Sequence, residues 1–138
     1  MSSWLVKSDP DEYAFADLLR DGRTCWSGVA NALALRHLGA MRPGDEVFVY
    51  ESGKVRAVVG LARVASQPRP DPGLDDPRRL VVDLAAGAPL VHPVPLAAIK
   101  ADPDCCDFDL VRISRLSVMP VPAAIARRLA AAGAGRRA

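Results

Sequence analysis

The sequence predicts an α+β protein: a curved mixed sheet or small barrel with helices inserted after the first strand and at the C-terminus. Short β-branched runs are joined by tight turns, as in sheets whose neighbouring strands are antiparallel. Two segments with helical spacing follow the first run, and a third closes the chain. The hydrophobic fraction of 50% over 138 residues is ample for one core. We therefore assign one domain to residues 1–133 and a frayed tail to residues 134–138.

The N-terminal part contains one strand and two helices. Residues 4–7 form an apolar run that ends in a Ser-Asp-Pro-Asp loop, which is typical of a strand end. Apolar residues recur at helical spacing over residues 15–19, and Gly22 stands where a helix C-cap is expected. Residues 25–31 then form a connector, and Asn31 is placed to cap a second helix of about two turns.

The middle of the chain predicts a hairpin. A Pro-Gly-Asp turn at residues 43–45 leads into a strand at residues 47–50. Residues 51–54 make a tight reversal into a long β-branched run at residues 55–64. Gly60 lies inside that run, and an interior glycine often marks a bend or a bulge.

The remaining third alternates loops with short elements. Residues 66–79 contain four prolines and predict a loop. The elements that follow are a strand at residues 80–84, an edge strand at 91–94, a helical turn at 96–100, a strand region at 110–118 and a helix at 123–132. Pro122 suits the first turn of that helix, and Gly133 suits its end.

Composition excludes several classes of protein. No apolar run approaches the ~18 residues of a membrane span, so we expect a soluble, cytoplasmic protein without a membrane partner. Three cysteines, two of them adjacent, are expected to be reduced packing residues. No phosphate loop, serine elbow or metal-ligand spacing is present, so the sequence predicts neither cofactor nor metal. The net charge of +2 is compatible with nucleic acid but falls short of a duplex clamp.

Three distant segments can converge on one site. They are the strand end at residues 7–10, the connector segment at 26–29 and the hairpin at 50–54, and in a small barrel such ends meet at one rim. An aromatic wall with nearby hydroxyl, amide and carboxylate groups suits a flat heterocycle. Trp26 is the aromatic residue in question, and its alternative role is a plug of the core.

Several short blocks, in one order along the chain, carry a family resemblance. They are WLVKSDPDEY at residues 4–13, WSGV at 26–29 with Asn31, GD at 44–45, FVY at 48–50, VGLA at 59–62 and LSVMPV at 116–121. This pattern resembles the EVE domain family of the PUA-like superfamily, which is similar to the YTH readers of N6-methyladenine. The resemblance implies a PUA-like pseudobarrel.

The resemblance also implies a function: a binding module, without catalysis or cofactor, that accepts one modified nucleobase of DNA or RNA. The base would be flipped out or single-stranded and would enter a pocket walled by Trp26. Apart from the resemblance, we expect a monomer. The pocket residues expected on this basis are Lys7, Ser8, Asp9, Trp26, Ser27, Gly28, Val29, Asn31, Tyr50 and Ser52. Candidates for a second aromatic wall are Trp4, Tyr13, Phe48 and Tyr50.

The chain departs from the family pattern on its second helix. Alanines and leucines at positions 30, 32, 33 and 35 stand where EVE sequences carry arginine and other polar residues. The basic edge that would contact a phosphate backbone is therefore thinned there. Candidates to replace its charge are Arg23, Arg36, Lys54 and Arg56.

Two residues leave alternatives open. Asp9 would accept a hydrogen bond from an exocyclic amino group, which favours modified cytosine or adenine over uracil. Its other possible roles are to cap the following turn or to pair with Lys7. Lys7 with Glu51 or Asp9 would instead form an acid–base pair in a second hypothesis, a small PUA-like amidohydrolase acting on an acylated nucleoside.

Overall fold

The computed structural model describes residues 2–134. The strands are β1 (Ser3–Ser8), β2 (Arg23–Trp26), β3 (Glu46–Glu51), β4 (Ala57–Val64), β5 (Arg69–Pro70), β6 (Leu80–Pro95) and β7 (Val118–Pro120). The helices are α1 (Phe15–Asp21), α2 (Ala32–Gly39), α3 (Leu96–Ala101), α4 (Asp109–Arg112) and α5 (Ala123–Gly133), with a 3₁₀ turn at Pro103–Cys105. The predicted tail lies outside the described residues except for Ala134, which caps α5.

The strands form one mixed sheet in the order β2-β6-β4-β3-β1-β7, with β5 paired to β6. Among the paired strands of residues 2–134, β1 and β3 alone run parallel, and the other pairs are antiparallel. Helices α1 and α2 follow β1 and β2, and α5 closes the described chain. The predicted α+β, PUA-like fold is therefore confirmed.

The parallel pair forms the centre of the core, and the ends of its two strands lie together at one end of the sheet. Leu5 and Val6 of β1 and Val47 and Phe48 of β3 are completely buried. Strands covered on both faces read as continuous apolar runs, which explains why both were recognisable in the sequence. Because β1 and β3 run in the same direction, their last residues lie side by side, with Ser8 opposite Glu51.

The bulge predicted at Gly60 is present. The register between β3 and β4 shifts beside it, and the register between β4 and β6 shifts on both sides of it. A Cβ atom at this position would lie 2.2 Å from the ring of Phe15, so α1 packs directly on the glycine backbone. The glycine is required for that close approach.

The predicted strands at residues 80–84 and 91–94 are present but continuous, and the predicted strand region at 110–118 was wrong. Residues 80–84 and the separate edge strand at 91–94 are the two ends of β6, because β4 continues to pair across the alanine-rich segment between them. The strand region at 110–118 is mostly α4 and a turn, and β7 begins only at Val118. There, Phe108 and Leu110 are buried and anchor a helical turn against the sheet.

Further expectations concern cysteines, metals and membranes. Cys25, Cys105 and Cys106 are all free thiols, as expected. The predicted packing role fits Cys105, which is buried, and is wrong for Cys25 and Cys106, which are exposed. Residues 2–134 contain no group of three or more side chains arranged to hold a metal ion. No helix in the same range is both long and apolar enough to cross a membrane.

Candidate functional site

A cavity of about 360 Å³ opens where β1 ends, between the turn that follows it and the end of β2. We call it the tryptophan cavity. Its lining contains seven of the ten predicted pocket residues: Lys7, Ser8, Asp9, Trp26, Ser27, Gly28 and Val29. Five further residues line it: Glu12, Tyr13, Thr24, Cys25 and Ser117.

Trp26 lies at the end of a strand rather than on the predicted connector. It pairs with Val82 of β6, and the chain turns away two residues later at Gly28, whose φ is +80°. The indole is only 8% exposed and packs with the hydrophobic core. It nevertheless lines the cavity. Trp26 therefore packs in the core and also forms part of the cavity wall, although the sequence presented these two roles as alternatives.

Tyr13 is the second aromatic residue of the cavity. Its ring meets that of Trp26 edge to face, with centroids 6.4 Å apart and an angle of 81° between the planes. The hydroxyl donates to Asp21 Oδ2 at 2.8 Å. Burial raises the pKa of this hydroxyl. Of the four candidates for a second wall, only Tyr13 lines this cavity.

The turn between β1 and α1 positions Tyr13. The Ser8 hydroxyl donates to the Tyr13 carbonyl oxygen, and the amides of Glu12 and Tyr13 donate to the Asp9 carbonyl oxygen at 2.9 and 2.8 Å. Asp9 Oδ1 accepts from the amide of Asp11 at 2.9 Å. Asp9 therefore has the turn-capping role that the sequence left open. Its Oδ2 makes no hydrogen bond within residues 2–134.

Lys7 directs its ammonium group away from the tryptophan cavity. Nζ donates to the Ser114 carbonyl oxygen at 2.7 Å and lies 5.7 Å from the centroid of the Tyr50 ring. Ser114 and Tyr50 line a second cavity of about 290 Å³, the lysine cavity, which Lys7 and Ser52 also line. Burial lowers the pKa of Lys7. Lys7 is thus shared, while Tyr50 and Ser52 belong to the second cavity.

Two further predicted contacts are not formed. Asn31 caps α2 by accepting from the amides of Leu33 and Ala34 at 3.0 and 3.1 Å, and it lines neither cavity. Glu51 Oε2 accepts from the amide of Phe15 at 2.8 Å. Among the described residues Lys7 pairs with neither Glu51 nor Asp9, so the acid–base pair of the hydrolase hypothesis is absent.

The residues that sequence reasoning missed differ in how visible they were. Glu12 and Tyr13 stand inside the block at residues 4–13 that carried the family resemblance, so their position was a usable signal. Thr24 and Cys25 precede Trp26 on a strand that was not predicted. Ser117 is distant in sequence. It reaches the cavity because β7, which starts at the next residue, pairs with β1, and because the Lys7 amide donates to the Ser117 carbonyl oxygen at 2.9 Å.

Comparison with known proteins identifies the family. The EVE domain profile matches residues 2–132, almost the whole chain. The chain belongs to the EVE domain family. Among curated proteins, human thymocyte nuclear protein 1 is 29% identical over 126 residues, which cover 72% of this EVE domain and 56% of the human protein. The chain spans about half the length of the curated relatives that it matches.

Solved structures of relatives superpose closely on this EVE domain. A protein of Rhodopseudomonas palustris is 36% identical with a TM-score of 0.92, covering 100% of this chain and 97% of that one. A protein of Agrobacterium tumefaciens is 32% identical with a TM-score of 0.93, at 96% and 93% coverage. Human THYN1 protein, solved in complex with DNA containing 5-methylcytosine, is 25% identical with a TM-score of 0.89, at 96% and 98% coverage.

Proposed function

We propose that this EVE domain is a non-enzymatic reader that takes one modified base of DNA into the tryptophan cavity. The observation that carries the proposal is the pair of aromatic rings, Trp26 and Tyr13, that meet in one open cavity. Support also comes from the human relative, which shares the fold and was solved with DNA containing 5-methylcytosine. We therefore take 5-methylcytosine as the first base to test.

The size of the cavity favours a single base over a duplex groove. At about 360 Å³ it falls in the range typical of sites for small ligands. An intact duplex keeps its bases stacked, so a base can enter only when it is flipped out or already single-stranded. The net charge of +2 agrees with this mode, because duplex clamps need a far more basic face.

The polar lining favours bases that carry an amino group on the pairing edge. Asp9 and Glu12 are exposed carboxylates at the rim, and ionised carboxylates only accept hydrogen bonds. Asp9 keeps Oδ2 available after capping its turn. Cytosine and adenine offer an amino donor there, whereas thymine and uracil offer carbonyl oxygens. We expect a preference of about 1–3 kcal/mol for the amino bases if either carboxylate makes the contact.

The test is a binding comparison in one sequence context. Oligodeoxynucleotides that carry cytosine, 5-methylcytosine, N6-methyladenine or 5-methyluracil at one position are titrated by fluorescence anisotropy, both single-stranded and as duplexes. We expect the tightest binding for a modified amino base, and tighter binding to single strands or mismatched duplexes than to paired ones. Equal affinity for all four bases would refute base reading.

Two further arms separate the competing hypotheses. The same oligonucleotides made as RNA show whether the sugar is discriminated. Incubation with an N4-acylated cytidine tests the hydrolase hypothesis, and release of free acid at a rate above the buffer control would refute a purely binding role.

A further inference from the structure

All three lysines of the chain gather with one arginine on the side of Lys7 that faces away from the tryptophan cavity. Lys7, Arg56 and Lys100 line the lysine cavity. An adjoining cavity of about 380 Å³ is lined by Lys54, again with Arg56 and Lys100. Within the described chain no aspartate or glutamate lines either cavity. Four positive charges therefore concentrate in a protein whose net charge is only +2.

These four cations are not neutralised by the protein itself. None of them forms an ion pair within residues 2–134. Six arginines elsewhere each bond a carboxylate: Arg20, Arg23, Arg69, Arg78, Arg112 and Arg128. Like charges that converge without counter-charge repel one another, and an anion between them relieves that repulsion.

The backbone of Arg56 is held in an unusual conformation. Its φ of +50° is in the left-handed region, which is uncommon for a residue other than glycine. The amide of Leu96, at the start of α3, donates to the Arg56 carbonyl oxygen at 2.9 Å. At the other end of the same turn, the amide of Ser52 donates to the Ser8 carbonyl oxygen at 2.9 Å. Conformations of this kind persist only where surrounding contacts enforce them, and they cluster at functional sites.

We propose that the lysine cavity binds a phosphate group, which in the complex with DNA is a backbone phosphate flanking the base held in the tryptophan cavity. This step rests on the proposed function. The two cavities share Lys7 and lie on either side of the end of β1, so a single DNA strand can occupy both cavities. The guanidinium of Arg56 offers two parallel donors to phosphate, and Lys7 and Lys100 add point charges.

The experiment compares the parent chain with two single variants of the lysine cavity, Arg56→Gln and Lys100→Gln. A third single variant, Arg63→Gln, is the matched control. Arg63 is an exposed arginine near the opposite end of β4, without an ion pair in residues 2–134, and it lines neither cavity. Each protein is titrated with the 5-methylcytosine oligonucleotide and its unmodified twin over a series of salt concentrations. Thermal melting establishes that the variants are folded.

We expect each cavity variant to weaken binding of both oligonucleotides equally, by roughly 3- to 10-fold. The slope of log affinity against log salt should fall by about one, and the ratio of modified to unmodified affinity should stay unchanged. The Arg63→Gln variant should match the parent. Parental affinity and slope in both cavity variants, with base discrimination retained, would overturn the contact with a backbone phosphate and leave the reader function standing.

A second arm detects the phosphate site without DNA and identifies the source of the phosphate. Inorganic phosphate is titrated into labelled protein, and the amide signals of Ser52 and Gly53 are followed by NMR. Shifts that Arg56→Gln removes and Arg63→Gln retains support the site even if no oligonucleotide shows base discrimination, an outcome that refutes only the reader function. Shifts without any effect of the variants on DNA binding would identify free phosphate as the ligand and overturn the contact with DNA. The absence of the shifts as well would overturn the site altogether.

Discussion

Replacing Trp26 by alanine should weaken both the fold and the binding of a base, by amounts that can be estimated separately. The indole is 8% exposed, and truncating a buried tryptophan to alanine costs about 3–5 kcal/mol of unfolding free energy. For a domain of 138 residues this corresponds to a melting temperature lower by roughly 10–17 °C. Loss of one base–aromatic stack costs about 1–3 kcal/mol, which is a roughly 5- to 150-fold loss of affinity.

A matched control separates the two effects. Trp4, the other tryptophan, is equally buried at 7% exposed, donates from its indole to Asp45 Oδ2 at 3.0 Å, and does not line the cavity. Trp4→Phe should therefore lower the melting temperature while leaving the affinity for 5-methylcytosine unchanged. Trp26→Phe retains a ring that can stack, so it should keep more of that affinity than Trp26→Ala.

Circular dichroism and fluorescence anisotropy measure the two quantities on the same samples. Binding is compared at a temperature well below the melting transition of every variant, so that all the protein is folded. The contrary result is a Trp26→Ala protein that has a lower melting temperature and still binds the modified oligonucleotide with parental affinity. That result would refute the role of Trp26 in stacking on the base and leave it as a core residue alone.

Four other substitutions test separate parts of the structure. Asp9→Asn keeps an acceptor for the turn but presents a donor to the base; it should abolish the preference for amino bases without changing the melting temperature, and retained preference would exclude Asp9 from recognition. Burial alone would raise the pKa of Asp45, but hydrogen bonds from the Trp4 indole and two backbone amides outweigh it and hold that pKa below its usual range. The resulting stabilisation is complete above the unfolded pKa of about 3.9 and is lost as the pH falls through the lower folded pKa. Asp45→Asn should therefore be less stable than the parent in urea at pH 7, and the difference in stability should be smaller near pH 3. The same difference in stability at both pH values would contradict this. Arg56→Gly relieves a left-handed conformation that costs about 1–2 kcal/mol, so it should raise stability while lowering DNA affinity, and a lower urea midpoint would show that the strain is not relieved. Gly60→Ala forces a Cβ into the ring of the α1 phenylalanine and should cost about 1–3 kcal/mol, whereas an unchanged urea midpoint would show that the ring moves freely.

The fold was predictable where local pattern and tertiary environment agree. The apolar runs of β1 and β3 are buried on both faces, and Asn31 and Gly22 cap their helices as their residue types suggest. The errors occur where pairing overrides propensity. Ala85 and Ala86 are weak strand formers but continue β6, because the ladder to β4 runs past them.

The sequence predicted seven of the twelve residues that line the tryptophan cavity, but not the division of the predicted pocket residues between two cavities. Sequence reasoning placed Lys7, Ser8 and Tyr50 in one pocket. Consecutive residues of a strand point to opposite faces, and β1 extends through Ser8. The Ser8 hydroxyl therefore turns towards the tryptophan cavity, while the Lys7 ammonium turns towards Tyr50, its register partner on β3. If the predicted strand had included Ser8, the alternation of side chains along it would have placed Lys7 and Ser8 in different cavities.

The division matters because it separates charges of opposite sign. Asp9 and Glu12 make the rim of the tryptophan cavity acidic, and three cations line the lysine cavity next to it. A DNA strand that places a base in the tryptophan cavity and a phosphate in the lysine cavity meets hydrogen-bond acceptors at the edge of the base and cations at its backbone. The reversed orientation would bring phosphate to carboxylate and is disfavoured by repulsion. Phosphate contacts set position and base contacts set specificity in nucleic-acid recognition. In the proposed complex the two tasks fall to side chains on opposite sides of the end of β1, so variants of Arg56 and variants of Asp9 should change affinity and selectivity independently.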